Sequence, residues 1–198
     1  MSKLLDVIRD RRSDRHFANR PLEADAVEAL LDAFRWAPSS NNRQPWRVLI
    51  ASGAEANRIF DDALSAGNKQ WAPVAPLKMV IIAVPEEQPE KNGVQNCMLD
   101  VGMAMENMLV QGYAMGLTIH AMAGWDYEKI CKGFAIPATA KPVALMAAGH
   151  RGRVEDLAEE VRAKDMKLRT RKAISEFAYR DSYMSVLSTY DICSLPAG

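Results

Sequence analysis

The chain has 198 residues, 48% of them hydrophobic, which suits one soluble domain with a real core. Lys plus Arg and Asp plus Glu number 25 each, so no global field draws the chain to nucleic acid or an anionic membrane, and any anionic ligand must be met by a local cluster. No stretch approaches the roughly 20 apolar residues that span a bilayer, and the opening MSKLLDVIRDRRSDRHF has charges where a signal peptide needs its apolar run, so a cytoplasmic protein is expected.

Leu4, Leu5 and Ile8 have helical spacing, and this first helix is expected to run into the basic stretch Arg9 to Arg15. A second helix is expected from near Pro21, with Val27, Leu30, Leu31 and Phe34 on one buried stripe, stopping at Ala37-Pro38. Ser39 to Pro45 has no periodicity and reads as a loop. Arg47 to Ser52, Leu77 to Val84, Leu117 to Met122 and Val143 to Gly149 are short apolar runs that read as largely buried strands. Helices are expected at Ala54 to Ala66, Val94 to Met115, Tyr127 to Phe134 and Val154 to Lys164. By pattern alone, this alternation predicts a parallel α/β sheet. The segment after Lys164 is basic, aromatic and polar with little core periodicity, as in tails that pack on a neighbouring subunit.

Four segments could carry chemistry. Arg11-Arg12-Ser13-Asp14-Arg15 offers guanidinium forks and a hydroxyl that suit a phosphate monoester, although cations ending a helix also complement its dipole. Ala37-Pro38-Ser39-Ser40-Asn41-Asn42-Arg43-Gln44-Pro45-Trp46 concentrates amides and hydroxyls in a loop pinned by prolines, which could satisfy a flat heterocycle or bind nothing. Met122-Ala123-Gly124-Trp125-Asp126 could present backbone N–H groups to a ligand or simply turn the chain. Arg169-Thr170-Arg171-Lys172 is a basic cluster that could equally be a solvated face.

Met103, Met105, Met108 and Met115 read as core filler, and Asp100 as either a site carboxylate or an exposed helix residue. Cys97, Cys131 and Cys193 lack C-x-x-C spacing and read as reduced structural thiols. His16, His120 and His150 share no ligand spacing, so no metal is expected. There is no phosphate loop, no G-x-G-x-x-G after a strand and no G-x-S-x-G elbow, so dinucleotide-domain and serine-hydrolase readings have no anchor.

RRSDRHF, about twenty helical residues, then APSSNNRQPW resembles the opening of the nitroreductase family in order and spacing. The resemblance implies a single FMN-binding domain over residues 1–198. Its fold would be an α+β three-layer sandwich around a mixed, mostly antiparallel sheet, overruling the parallel expectation. Residues from about 165 to 198 would extend onto the partner of a homodimer. It implies that Arg11, Arg12, Ser13 and Arg15 hold the FMN phosphate and flavin edge, and that Arg169 and Arg171 close over the phosphate. Pro38, Ser39, Ser40, Asn42 and Gln44 would reach the flavin from the partner subunit, Asn68 would meet the pyrimidine and ribityl chain, and the main chain of Ala123 and Gly124 would approach flavin N5. Trp71 stands where some members have a lysine, which removes a cation near flavin N1 and O2 and makes Arg11 the candidate to replace it. The implied reaction is a ping-pong transfer of hydride from NADH or NADPH to a small-molecule acceptor such as a nitroaromatic or quinone, with no catalytic side chain. A reductase dedicated to one metabolite, a non-catalytic FMN-binding protein and a non-flavin interaction module are the alternatives.

Overall fold

The computed structural model of the protein describes residues 3–186; Cys193 lies outside them. Among the described residues no helix is long and apolar enough to cross a membrane. The chain divides into two compact units, the first ending at Asp165 and the second beginning at Met166.

The first unit is built on four strands, β1 (Trp46–Ile50), β2 (Leu77–Ala83), β3 (Leu117–Met122) and β4 (Lys141–His150), ordered β1-β2-β4-β3 with every neighbour antiparallel. Around them lie α1 (Asp6–Asp10), α2 (Ala24–Arg35), α3 (Ala54–Ala63), α4 (Ala66–Lys69), α5 (Asn96–Ala114), α6 (Tyr127–Gly133) and α7 (Glu159–Asp165). The α+β expectation holds, and the parallel sheet read from pattern alone does not. Alternation of strands and helices does not by itself fix strand direction: the chain between β3 and β4 is long enough for a crossover, but its one helix, the seven residues of α6, rises only about 10 Å, half the roughly 20 Å of a six-residue strand, and β4 runs back beside β3.

Strand alternation divides the core into two layers. Leu77, Met79, Ile81 and Ala83 of β2 face a cluster with Leu30 and Phe34 of α2 and Val101, Ala104 and Met108 of α5. Val80 and Ile82 face the other cluster, with Phe60 of α3, Trp71, Ile130 of α6 and Val161 of α7. The apolar stripe expected on α2 is therefore the buried one, with Val27 and Leu31 at its margin. Lys78 points into the second layer, where its buried ammonium meets both carboxylate oxygens of Asp61 at 2.8 Å.

Several sequence expectations change. β1 is an edge strand, buried only at Trp46, rather than largely buried like the others. Of the α5 methionines, Met108 is fully buried and Met105 packs on the core, but Met103 is exposed, as is Met115 just beyond the helix. The expected helix 54–66 breaks at Leu64 before α4 starts at Ala66, and that expected over 154–164 is a single 3-10 turn, Val154–Asp156, followed by α7. α2 starts at Ala24, three residues after Pro21, and α1 ends at Asp10 instead of continuing through the arginines. Both changes have one cause: the chain between these helices is held extended. Phe17 bridges to Arg151, Ala18 N donates to His150 O at 2.9 Å, and Gly152 N donates to His16 O at 3.0 Å. Glu23 and Arg20 then both reach the His150 ring, at 3.0 and 2.8 Å from Nε2.

The second unit is largely exposed. It contains a 3-10 turn at Ile174–Glu176, where Ala173 N donates to Glu176 Oε2, and a bridge between Tyr179 and Val186.

A Cβ at Gly152 would lie 2.6 Å from both the carbonyl carbon and oxygen of Phe17, backbone atoms that would have to shift to admit it. Gly152→Ala is therefore expected to cost about 1–3 kcal/mol in urea unfolding, as overpacking does. An unchanged midpoint would show that the pairing of residues 16–18 with 150–152 is not tight.

Candidate functional site

The extended N-terminal segment is held from below by one carboxylate. Asp165, at the end of α7, has a side chain only 2% exposed. It accepts from Arg15 N at 3.0 and 3.1 Å, from Arg15 Nη1 at 3.2 Å and from His16 Nδ1 at 2.6 Å. Its backbone carbonyl accepts from Arg12 Nη2 at 2.6 Å. Asp14, also buried, lies 3.4 Å from Arg12 Nε and 3.0 Å from Arg151 Nη2. Arg11 sits apart from this clamp, 3.5 Å from Ser13 Oγ and 3.7 Å from Glu106 of α5.

Clamped in this way, Arg15 carries its guanidinium 5.9 Å from the centre of the Trp71 ring. Trp71 is buried, stacked on Phe17 at 6.0 Å and tilted against His120 at 4.5 Å. His120 Nδ1 lies 3.3 Å from the Asp14 carbonyl. Burial pushes the His120 imidazole below its ordinary pKa of 6.5, and the nearby Arg15 charge pushes the same way.

The loop after β3 closes on the start of α4. Gly124 O accepts from Ser65 N at 3.0 Å and from the Asn68 side-chain amide at 2.9 Å. A Cβ on Gly124 would stand 2.8 Å from Ser65 Oγ and 3.3 Å from the Asn68 amide nitrogen, so the loop packs closely on the start of α4. Among the described residues the N–H groups of Ala123 and Gly124, both exposed, meet no acceptor. Trp125 Nε1 donates to Met122 O at 3.1 Å, and Asp126 caps α6 by accepting from Lys129 N at 3.0 Å.

These segments border a cleft of about 110 Å³ lined by Arg15, Gly67, Asn68, Trp71, Val161 and Lys164. Its lining combines two cations, an amide and an indole, a donor set suited to the carbonyl-rich edge of a heterocycle. Of the residues singled out in the sequence, Arg15, Asn68 and Gly124 come together here, with Ala123 adjacent in the same loop.

The Pro38 to Gln44 loop is anchored elsewhere. Ser40 N lies 3.3 Å from Asp100 Oδ2, and Ser39 Oγ accepts from Gln44 N at 3.0 Å. Asp100 is thus a buried partner of the loop and not an exposed helix residue. Asn41, Asn42 and Gln44 all have left-handed φ, 53°, 55° and 51°. Non-glycine residues pay for this conformation, and such strain gathers at ligand-contacting sites. Pro38, Ser40 and Asn42 are exposed. Arg169 and Arg171 belong to the second unit and are exposed, with Arg171 Nη1 donating to Thr170 O at 2.8 Å.

Residues 8–150 match the model of the nitroreductase family. The chain belongs to that family. Over 61 residues it is 43% identical to the nitrobenzene nitroreductase of Ectopseudomonas oleovorans, 31% of this chain and 27% of the relative. An Archaeoglobus fulgidus protein named for NADH dehydrogenase/NAD(P)H nitroreductase activity is 30% identical over 119 residues, 59% of this chain and 65% of the relative. The chain therefore spans less than two thirds of the length of either relative. The crystal structure of an oxidoreductase containing FMN superposes with a TM-score of 0.82 at 26% identity, over 92% of this chain and 95% of that one.

Within this nitroreductase-family site, sequence reasoning missed Asp165, Asp14 and Lys164. Asp165 lies 150 residues from Arg15, and nothing in its local sequence separates it from the neighbouring charges of α7. For His120 the sequence showed only the lack of metal-ligand spacing, and its burial against Trp71 is a property of the fold.

Asp165→Ala leaves Arg15 and His16 without their counter-charge. It should destabilise the fold by about 2–3 kcal/mol in chemical unfolding, less than the roughly 3–5 of a fully buried pair because Arg15 keeps partial exposure. A loss below about 0.5 kcal/mol would mean that the clamp is ornamental.

Because the folded pKa of His120 is depressed, the unfolded chain binds its proton first as pH falls through about 6.5. Stability is therefore full above that pH, declines by up to about 1.4 kcal/mol per unit below it, and levels off at the folded pKa. His120→Gln should flatten this part of the stability profile between pH 7 and 5, and an identical slope in the variant would refute the assignment.

Proposed function

We propose that the chain is an FMN-dependent oxidoreductase that draws reducing equivalents from NADH or NADPH and delivers them to a small acceptor, working as a homodimer. The observation that carries this reading is the cleft where the Arg15 segment, Asn68 and the Gly124 loop converge on Trp71. The FMN in the superposing oxidoreductase agrees with it.

The residues present fit a flavin edge. Asn68 donates to Gly124 and keeps its amide oxygen as an acceptor for a ring N–H, while Arg15 and Lys164 suit the ring carbonyls. Ala123 and Gly124 offer backbone N–H donors that need no titration to orient a ring nitrogen. Arg11, Arg12 and Ser13 would hold the phosphate end. Bound FMN supplies the redox chemistry, taking hydride from the nicotinamide donor and passing it to the acceptor after the donor has left. The chain's own part is to anchor, orient and keep a flat face open, with no side chain acting as acid or base.

A cleft of 110 Å³ admits a ring edge and is far below the roughly 300–1,000 Å³ of complete ligand pockets. The remainder would come from a second copy. α5 presents an exposed apolar stripe, Leu99 and Met103, that continues past Val110 into a groove shared with Ile8 and Trp36, the latter 78% exposed. We assign this face to the dimer, which would carry Pro38, Ser39, Ser40, Asn42 and Gln44 toward the partner's flavin. The second unit, with Leu168, Phe177 and Tyr183 exposed, would extend onto the partner as well.

Purified protein should show a flavin absorption band, release FMN by mass on heating, and bleach on anaerobic mixing with NADH or NADPH. Met103→Glu should yield a monomer in sedimentation whose FMN affinity is at least about tenfold weaker. Protein that takes up no FMN sinks the proposal, and FMN that stays oxidised with both donors leaves only a binding protein.

A further inference from the structure

The two cations of the cleft are not equivalent. Arg15 is matched by Asp165, whose carboxylate takes both its backbone N–H and its guanidinium, so that pair brings almost no net charge to the cleft. Lys164, on the preceding residue of α7, also lines the cleft, and no carboxylate among the described residues lies within 4.0 Å of its ammonium. Its α7 neighbour Val161 is in the buried core and lines the same cleft, so this side of the helix is packed in place. The other lining groups, Gly67, Asn68 and Trp71, carry no charge. Among the groups facing the cleft, the uncompensated positive charge therefore belongs to Lys164.

Resting on the flavin reading above, we propose that Lys164 sets the reduction potential of the bound FMN by facing its N1–C2=O edge. Two-electron reduction by a reduced nicotinamide, which departs as its oxidised form, adds one negative charge to that edge. A cation beside it favours the reduced flavin over the oxidised one, while a neutralised Arg15–Asp165 pair discriminates little between them. Lys164 is a tuning residue and not an anchor: a point charge on a flexible stem supplies field without the bidentate geometry that holds phosphate. Sulfite is an independent probe of the same field, because its adduct at flavin N5 places the same negative charge on the same edge.

The test uses full-length protein saturated with FMN, comparing wild type with Lys164→Met, Lys164→Arg and Asp165→Asn. Lys164→Met should raise the sulfite dissociation constant about tenfold and lower the flavin potential by about 30 mV, the two-electron equivalent of that factor. Lys164→Arg should keep wild-type values. Asp165→Asn unmasks the Arg15 charge and should move both readouts the opposite way. FMN bound to Lys164→Met with unchanged potential and sulfite affinity overturns the inference while leaving the flavoprotein reading intact. A Lys164→Met protein that fails to bind FMN at millimolar concentration overturns it too, since Lys164 would then be an anchor. Equal shifts in Lys164→Met and Lys164→Arg would show a steric effect and likewise overturn it. Wild-type protein that takes up no FMN removes the underlying reading itself.

Discussion

The carboxylate of Asp165 is the point from which the site is built. A charge removed from water is costly unless its lone pairs are filled, and here they are filled by a backbone N–H, a guanidinium and an imidazole from two consecutive residues. This commitment keeps Arg15 and His16 extended. That in turn lets residues 16–18 pair with 150–152, and it brings both Phe17 and Arg15 to Trp71, one stacking on the indole and the other with its guanidinium 5.9 Å from the ring centre. A run of arginines that would otherwise prolong α1 becomes a strap across the end of β4.

The sheet explains why the strap and the two loops meet. β2 and β3 are each antiparallel to β4 and so run parallel to each other, joined by the 19 residues of α5, which rise about 28 Å. This is the crossover that the alternation of strands and helices suggests, but β4 is laid between its two strands. The chain returns to β4 by way of α6, and the loop leading into that helix, Met122 to Asp126, is drawn against α4 by Asn68 and Ser65.

α5 links the other parts. Asp100 holds the backbone of Ser40, and Glu106, six residues on and about 9 Å along the axis, lies beside Arg11. The helix that offers an apolar stripe to solvent thus also positions the left-handed Asn41–Gln44 loop and the first arginine of the basic segment. A partner seated on that stripe would approach both.

Much was legible in the chain itself. The buried stripe of α2, the apolar runs of β2, β3 and β4, the long helix over 96–114 and the punctuation at Pro38 and Pro45 follow from local periodicity and local stereochemistry, which act over a few residues. The order RRSDRHF then APSSNNRQPW was specific enough to place the chain in its family. What tertiary structure alone decided is everything that depends on which distant groups meet. The ladder partners of β4, the burial of Asp100 and His120, the closing of Gly124 on Ser65, and the pairing of Arg15 with a carboxylate 150 residues away leave no mark on the residues around them. A charged residue reads the same in sequence whether it is solvated or clamped, because its desolvation and its partner are properties of the folded chain.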